Sequence, residues 1–500
     1  AAELAHHFGE AAAAGYADRA VLHSVRAAED AEERTAFTEA AGFYGQALDA
    51  LDLTQDDHRR AELLLLRARS LEYGGDVEAA RRIAGDVATI ARAADDAVLL
   101  VRAGCRHLGD YGMFAEPGNP EALAIIREGL EGLAPEHVQI RGEGLVGLLR
   151  AAIYDADAID AAQVDEAIDL ARRSGSADLV RRAIEGKQWI IQSSGRTDEC
   201  LALAREAVEL STVTDPSELW ASGAYLMLGR ALAEAGEMDE ARAVLAHTAT
   251  FKVPGRGWSN ANFLAAEAAA AGEWDRSLEL SRQAVELGRP ILGATVDAIS
   301  SGLVARIRAF QGDVAAAGPA AEAVGASGIP GGYLEAGLAL MTGDREEARR
   351  RAREWVELSP ALPHFLVAFS YAEIARVAER TMDRELADWL RIEVTPMAGT
   401  FLASEPAIQG PADHVLGLAE AAAGDDEAAI PLLERSLAAS RERTWHAIVT
   451  LNLVDLARAL QRRDDAGDAA RVGELAREAA AEAERLGMPV TQREAADLLR

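Results

Sequence analysis

The sequence predicts an all-α fold: an α-solenoid of helical hairpins wound into a right-handed superhelix. Three observations carry that prediction. Alanine and leucine dominate the 500 residues while aromatics make up 5%, a composition that favours helices and is poor in the residues strands use. Apolar residues recur at helical spacing, not in alternation. A turn signature of glycine, an acid and then alanine returns along the whole chain, so the chain is an array and not one large core.

The unit is clearest from Ser217 to Leu245. Leu219, Ala224, Leu228, Ala231 and Leu232 fall at helical spacing. Gly236 ends that helix, because glycine accepts the positive φ of a helix stop. Asp239 and Glu240 open the next helix, where acids suit the positive end of the helix dipole. Ala241 and Leu245 belong to its buried side. Such a hairpin has an apolar face it cannot bury alone, so hairpins must stack.

In chain order the turn is marked by Gly15, by Thr35 standing in for glycine, and by Gly75, Gly118 and Asp157. Gly195, Gly236, Gly272, Gly312 and Gly343 follow, then Met382, Gly424 and Asp464. The glycines from Gly195 to Gly343 are 41, 36, 40 and 31 residues apart. Tetratricopeptide units repeat at about 34 residues, and HEAT or armadillo units at about 40–47. The internal pattern decides between them: Tyr225, Leu228, Gly229, Leu232, Gly236, Ala241 and Leu245 resemble the tetratricopeptide signature. Irregular joints fall at Tyr111–Pro120, Lys252–Asn260, Gly325–Gly332 and Thr395–Pro411. The expected division is therefore repeats over 1–394, with a hinge at 325–332, an irregular joint at 395–411, and C-terminal repeats over 412–500.

Composition excludes several functions. A net charge of −31 argues against direct nucleic-acid binding, which draws its affinity from cations on phosphates. It also disfavours an anionic membrane surface, and no stretch approaches the ~20 apolar residues of a membrane helix. Cys105 and Cys200 match no metal or redox spacing and suit a reduced, cytoplasmic setting. The opening AAELAHHFGEAAAAG lacks the basic and apolar regions of a signal peptide, and it starts without methionine, as a piece of a longer protein would. Gly186-Lys187 is followed by Gln188, so no P-loop is present, and neither a His-Glu-x-x-His nor a Gly-x-Ser-x-Gly motif occurs. No catalytic residue, cofactor or metal site is expected.

One register is more specific. Six residues before the turn marker stands an arginine at Arg69, Arg230, Arg306, Arg376 and Arg458, and six before Ala156, aligned through LLRAAIYDADAID, stands Arg150. The same position gives Trp189, and one turn earlier come Asn262, Tyr333 and His414. This part of a first helix tends to face the concave groove of a solenoid. Two readings stand. Each arginine pairs with an acid of its own or the next repeat, or the arginines form a cationic ladder for carboxylates. Trp258 joins the candidates because it sits in a glycine-rich joint beside Asn260 and Asn262, although tryptophans more often pack cores.

At both ends the residues resemble a known group. Glu3-Leu4-Ala5-His6-His7-Phe8, Gly15 to Ala20 and Ala40 to Leu48 are similar to the start of the helical repeats in large actinobacterial regulators. Gly410 to Gly417, Asp455 to Leu460, Gly467 to Arg471 and Glu484 to Met488 are similar to their terminal repeats. These are the LuxR-type and antibiotic-regulatory STAND ATPases and their cyclase-linked relatives. The resemblance implies a sensor region that restrains an ATPase, with the ATPase and DNA-binding modules elsewhere in the full-length protein. It carries over no catalytic residue. The expected function is a non-enzymatic sensor or protein-interaction region that holds an effector or protein partner in its concave groove. A freestanding tetratricopeptide scaffold is the alternative, and an enzyme centred on Trp258 and His414 the third reading.

Overall fold

The computed structural model describes residues 1–52, 56–109, 119–152, 158–214, 218–251, 257–326, 331–404 and 407–500. Among them, 27 α-helices make up a tetratricopeptide-like solenoid. The first stretch holds α1 (Ala2–Glu10), α2 (Ala17–Glu33), α3 (Phe37–Leu51), α4 (Asp57–Tyr73), α5 (Val77–Ala94) and α6 (Ala97–Leu108). Next come α7 (Pro120–Gly132), α8 (Val138–Ala151), α9 (Ala161–Ser174), α10 (Ala177–Ile191) and α11 (Thr197–Thr214). The middle repeats continue with α12 (Glu218–Ala235), α13 (Met238–Thr248), α14 (Gly257–Ala271), α15 (Trp274–Leu292), α16 (Ala294–Phe310) and α17 (Val314–Ala326). They lead into α18 (Gly332–Met341), α19 (Arg345–Leu358), α20 (His364–Ala368), α21 (Tyr371–Thr381) and α22 (Arg384–Val394). The last repeats are α23 (Ala412–Ala423), α24 (Asp426–Glu442), α25 (His446–Arg463), α26 (Asp468–Leu486) and α27 (Pro489–Asp497).

The turn signature works through two residues. Gly236 adopts a left-handed φ of 88°, and the non-glycine markers Thr35, Met382 and Asp464 take the same conformation at φ 57°, 50° and 54°. The acid after the marker is often the cap of the next helix. Asp76, Asp344, Asp383 and Asp425 each accept a hydrogen bond from a backbone N–H of the first turn, which stabilises a helix start by about 1 kcal/mol. Within the hairpin of α12 and α13, Ala224, Leu228, Ala231, Leu232, Ala241 and Leu245 are all buried. The side chain of Leu219 and all of Ser217 lie outside the described residues, as do the turn markers Gly118 and Asp157. Gly229 has a packing role: a Cβ there would stand 2.6 Å from Cγ of Leu245. Gly417 gives way to Leu433 in the same manner at 2.7 Å.

The joint expected to be irregular has regular structure. Thr395–Met397 is a 3₁₀ turn, and β1 (Phe401–Ser404) pairs antiparallel with β2 (Ala407–Pro411), with a bulge between Leu402 and Ala403. Residues 405–406 lie outside the described residues. One hydrophobic cluster runs through this joint, from Ala336 past Met397 and Leu402 to Ala422. Of the expected hinge, 327–330 lie outside the described residues, as do most of the joints at Tyr111–Pro120 and Lys252–Asn260.

The β-hairpin begins a long seam between the middle repeats and the C-terminal ones. Phe401, Ala403, Ile408, Trp445 and Ile448 share a core with Leu228, Leu232, Met238 and Phe263. Four turn glycines sit against the opposite side of the seam. A Cβ on Gly195 or Gly236 would collide with Pro396 or Phe401, respectively. On Gly272 it would come within 2.6 Å of Leu486, and on Gly312 within 2.7 Å of Pro489. Polar bonds pin the same line. His364 Nε2 donates to the Ser193 carbonyl at 2.7 Å, Arg443 to the Gly236 carbonyl at 3.2 Å, and Trp274 Nε1 to the Leu486 carbonyl at 2.6 Å.

Candidate functional site

Behind the seam lies a buried polar network, built on α21. The run Tyr371 to Arg380 buries almost every residue, charged ones included. Glu373, Arg376, Glu379 and Arg380 recur at three- and four-residue spacing, so one helix projects acids and bases toward both neighbouring layers. Arg376 donates to Glu373 at 3.0 Å, and Arg306 of α16 approaches the same Glu373 oxygen at 3.2 Å. Arg380 is fully enclosed. It pairs with Glu379, with Asp455 of α25 at 2.8 Å, and with Glu494 of α27 at 3.1 Å. Arg458 reaches Glu494 at 3.4 Å, and Arg462 pairs with Glu379 and with Asp426 at 3.0 Å.

His414 completes the network from α23. Its Nε2 lies 2.8 Å from Asp455 Oδ2, and its Nδ1 lies 3.4 Å from Asn452 Nδ2. The amide nitrogen of Asn452 can only donate, so the ring accepts at Nδ1 and donates from Nε2. Burial pushes the Asp455 carboxyl up, but Arg380 and His414 outweigh it and hold Asp455 well below the ordinary carboxylate range. Glu379 is lowered in the same way, with Arg380 opposing burial. Burial, reinforced by the charge of Arg380, lowers the Arg458 guanidinium.

Two small crevices flank Arg306, Phe310, Arg376 and Leu451. One, of about 20 Å³, also touches Gln409 and His414; the other, of about 60 Å³, touches Glu373, Arg380, Thr491 and Glu494. A water needs on the order of 10–15 Å³ by this measure. The first crevice therefore admits one water and the second a molecule of several atoms.

The structure thus brings together Arg306, Arg376 and Arg458 of the arginine register and His414, which lies one turn earlier in its repeat. Tyr333 adjoins them through Glu373 and Arg306, with its ring at 5.0 Å from Trp355 and its hydroxyl pK raised by burial. A second cluster holds Trp189 and Arg230: the guanidinium lies 4.1 Å from the indole centroid and donates to Gln192 at 3.1 Å, while Phe365 meets Trp189 edge-on. The other residues stand apart. Arg69 binds Glu32 of the preceding hairpin at 2.6 Å, and Ser70 shares that carboxylate. Burial and Glu32 push the nearby Tyr44 hydroxyl up to about 12. Arg150 donates to the Gly109 carbonyl at 3.4 Å. Trp258 packs on Gly288 and lines neither crevice. Asn262 is buried, and neither end of its amide has a hydrogen-bond partner among the described residues.

Sequence reasoning passed over Glu373, Arg380, Asp455 and Glu494, the acids and base that complete the network. The available signal was the charge pattern of α21, four charged residues inside an otherwise apolar run. Among the described residues no group of three or more His, Cys, Asp or Glu side chains could hold a metal ion, and no helix is long and apolar enough to cross a membrane.

No protein-family model and no curated protein sequence matches the chain. Among solved structures, it aligns with a chain of the APC/C hetero-tetramer Cut9–Hcn1 over 94% of its own length and 96% of that chain, at 12% identity and a TM-score of 0.47. An alignment with the TPR domain of P58(IPK) covers 80% and 98% at 14% identity and a TM-score of 0.25. One with IFIT1 covers 93% and 94% at 14% identity and a TM-score of 0.31.

Proposed function

We propose that the chain is the non-enzymatic sensor and interaction region of a signal-transduction ATPase-type transcriptional regulator, and that it answers an effector or partner by opening or closing its seam. The observation that supports this reading is the seam itself. A plain scaffold needs only neighbouring repeats in contact. Here the middle repeats also meet the C-terminal ones through a buried charge network with small crevices beside it. An interface of this kind can take two discrete states, and a ligand that prefers one of them shifts the balance. The resemblance of both termini to the STAND regulators supplies the expected neighbours, an ATPase and a DNA-binding module.

The test needs no knowledge of the effector. Leu486→Asp places a charge against Gly272 and opens the seam. In the longest native protein that carries this region, that variant is expected to change ATP hydrolysis or DNA binding severalfold. Unchanged activities in a variant whose repeats remain helical would leave the freestanding scaffold as the better reading.

A further inference from the structure

Arg306 is the least satisfied cation of the network. Its side chain is 13% exposed, and its Nε is buried with no hydrogen-bond partner among the described residues. Its approach to Glu373 is an ion pair without hydrogen-bond geometry. Arg376 uses the same Glu373 oxygen, so two guanidiniums share one carboxylate. Both also lie near the Phe310 ring, at 5.8 and 5.5 Å from its centroid. Burial and the like charge of Arg306, opposed by Glu373, lower the Arg376 guanidinium. The neighbouring Glu494 is committed to Arg380 and Arg458. Buried guanidinium donors left without acceptors are costly. The other oxygen of Glu373, Oε2, is buried and has no hydrogen-bond partner either.

These residues border the crevice of about 60 Å³, whose remaining wall is largely apolar, with Ala309, Leu334 and Val490. We infer that this crevice binds a short hydroxycarboxylic acid, with its carboxylate on Arg306 and Arg376, its hydroxyl donating to Glu373, and its carbon body against the apolar wall. A carboxylate supplies the missing negative charge and matches the fork of an arginine. A hydroxyl gives the spare carboxylate oxygen a donor. The volume of about 60 Å³ suits a ligand of about four to six heavy atoms, since each water-sized group takes on the order of 10–15 Å³. The inference rests on the sensor reading only for its biological use; the binding itself is independent of it.

Calorimetric titration of the whole chain with lactate, in both enantiomers, tests it against two near-isosteres. Propionate lacks the hydroxyl and 1,2-propanediol lacks the carboxylate. One lactate enantiomer is expected to bind with a Kd below about 1 mM, and each isostere at least about tenfold more weakly. Arg306→Met should abolish the signal. Ala309→Leu, which fills the crevice and leaves both arginines in place, should abolish it too, so a poorly folded Arg306 variant does not leave the matter open. Absent lactate binding, equal binding of either isostere, or undiminished binding by a folded Ala309→Leu protein overturns the inference. None of these results touches the sensor reading, which the seam-opening variant tests separately.

Discussion

The turns at Gly15 and Gly236 share one sequence signature and one backbone conformation, at φ 95° and 88°. Their surroundings differ. A Cβ on Gly15 would meet nothing within 4 Å, whereas on Gly236 it would run into Phe401. The arginines divide in the same way. Arg69 makes a partly exposed pair with the preceding hairpin, while Arg380, four residues beyond Arg376, is enclosed by carboxylates from three helices. One repeat pattern therefore does two jobs. In the first hairpins it builds a stack of neighbours. In the middle repeats it also builds one side of a long-range interface.

Acid should separate the two regions most. Asp455 and Glu379 both bind protons less readily in the folded chain than at their ordinary values of 3.8 and 4.5. The unfolded chain then takes up more protons as pH falls, so their stabilisation is present above about pH 4.5 and is lost as pH drops through the lower folded values. Glu234, raised by burial that outweighs its hydrogen bonds from Thr197 and Ser193, acts in the opposite sense, because its folded carboxyl accepts a proton first. The seam is expected to open in acid while the hairpins keep their helices. Small-angle scattering would show a rising radius of gyration between pH 5 and 2 with little change in far-UV dichroism. A simultaneous loss of both signals would erase the distinction.

Arginine substitution gives the next largest contrast. Arg380→Met leaves Glu379, Asp455 and Glu494 short of a buried counter-charge, at an expected cost of about 3–5 kcal/mol. Arg69→Met removes a partly solvated pair and should cost about 1 kcal/mol or less. Urea midpoints of the two variants read the difference directly, and similar midpoints would mean that the network is no more enclosed than the first hairpins.

The smallest contrast is between the glycines. Alanine in a left-handed turn costs roughly 1–2 kcal/mol wherever it sits. Gly236→Ala must in addition displace Phe401, which adds about 1–3 kcal/mol of overpacking. In calorimetric melts Gly236→Ala should fall clearly below Gly15→Ala; coincident melts would argue that Phe401 yields freely.

Much of the stack was legible because its causes are local. Thr35, Met382 and Asp464 could be placed at glycine positions from spacing alone, and their backbones are left-handed. The register of Arg306, Arg376 and Arg458 was also legible, since it depends only on helical period and turn position. What those arginines meet was not. Glu373 could pass for a solvated acid until α16 was laid across it. The strands at Phe401 and Ala407 gave no alternation because most of their residues are buried, facing the repeats on both sides. Asn262, placed in a groove by its register, is instead buried.

The seam also bears on how the chain is made. Most hairpin contacts join residues close in sequence and can form as the polypeptide emerges from the ribosome. The bond from Trp274 to Leu486 spans 212 residues and that from Arg443 to Gly236 spans 207. The middle turns must therefore wait, already folded but uncovered, until translation has delivered the last helices. During that interval Phe263, Leu228 and Leu232 lack the hydrophobic partners that the β-hairpin later provides. Slow decoding of the segment that carries the β-hairpin and the helices after it would lengthen their exposure.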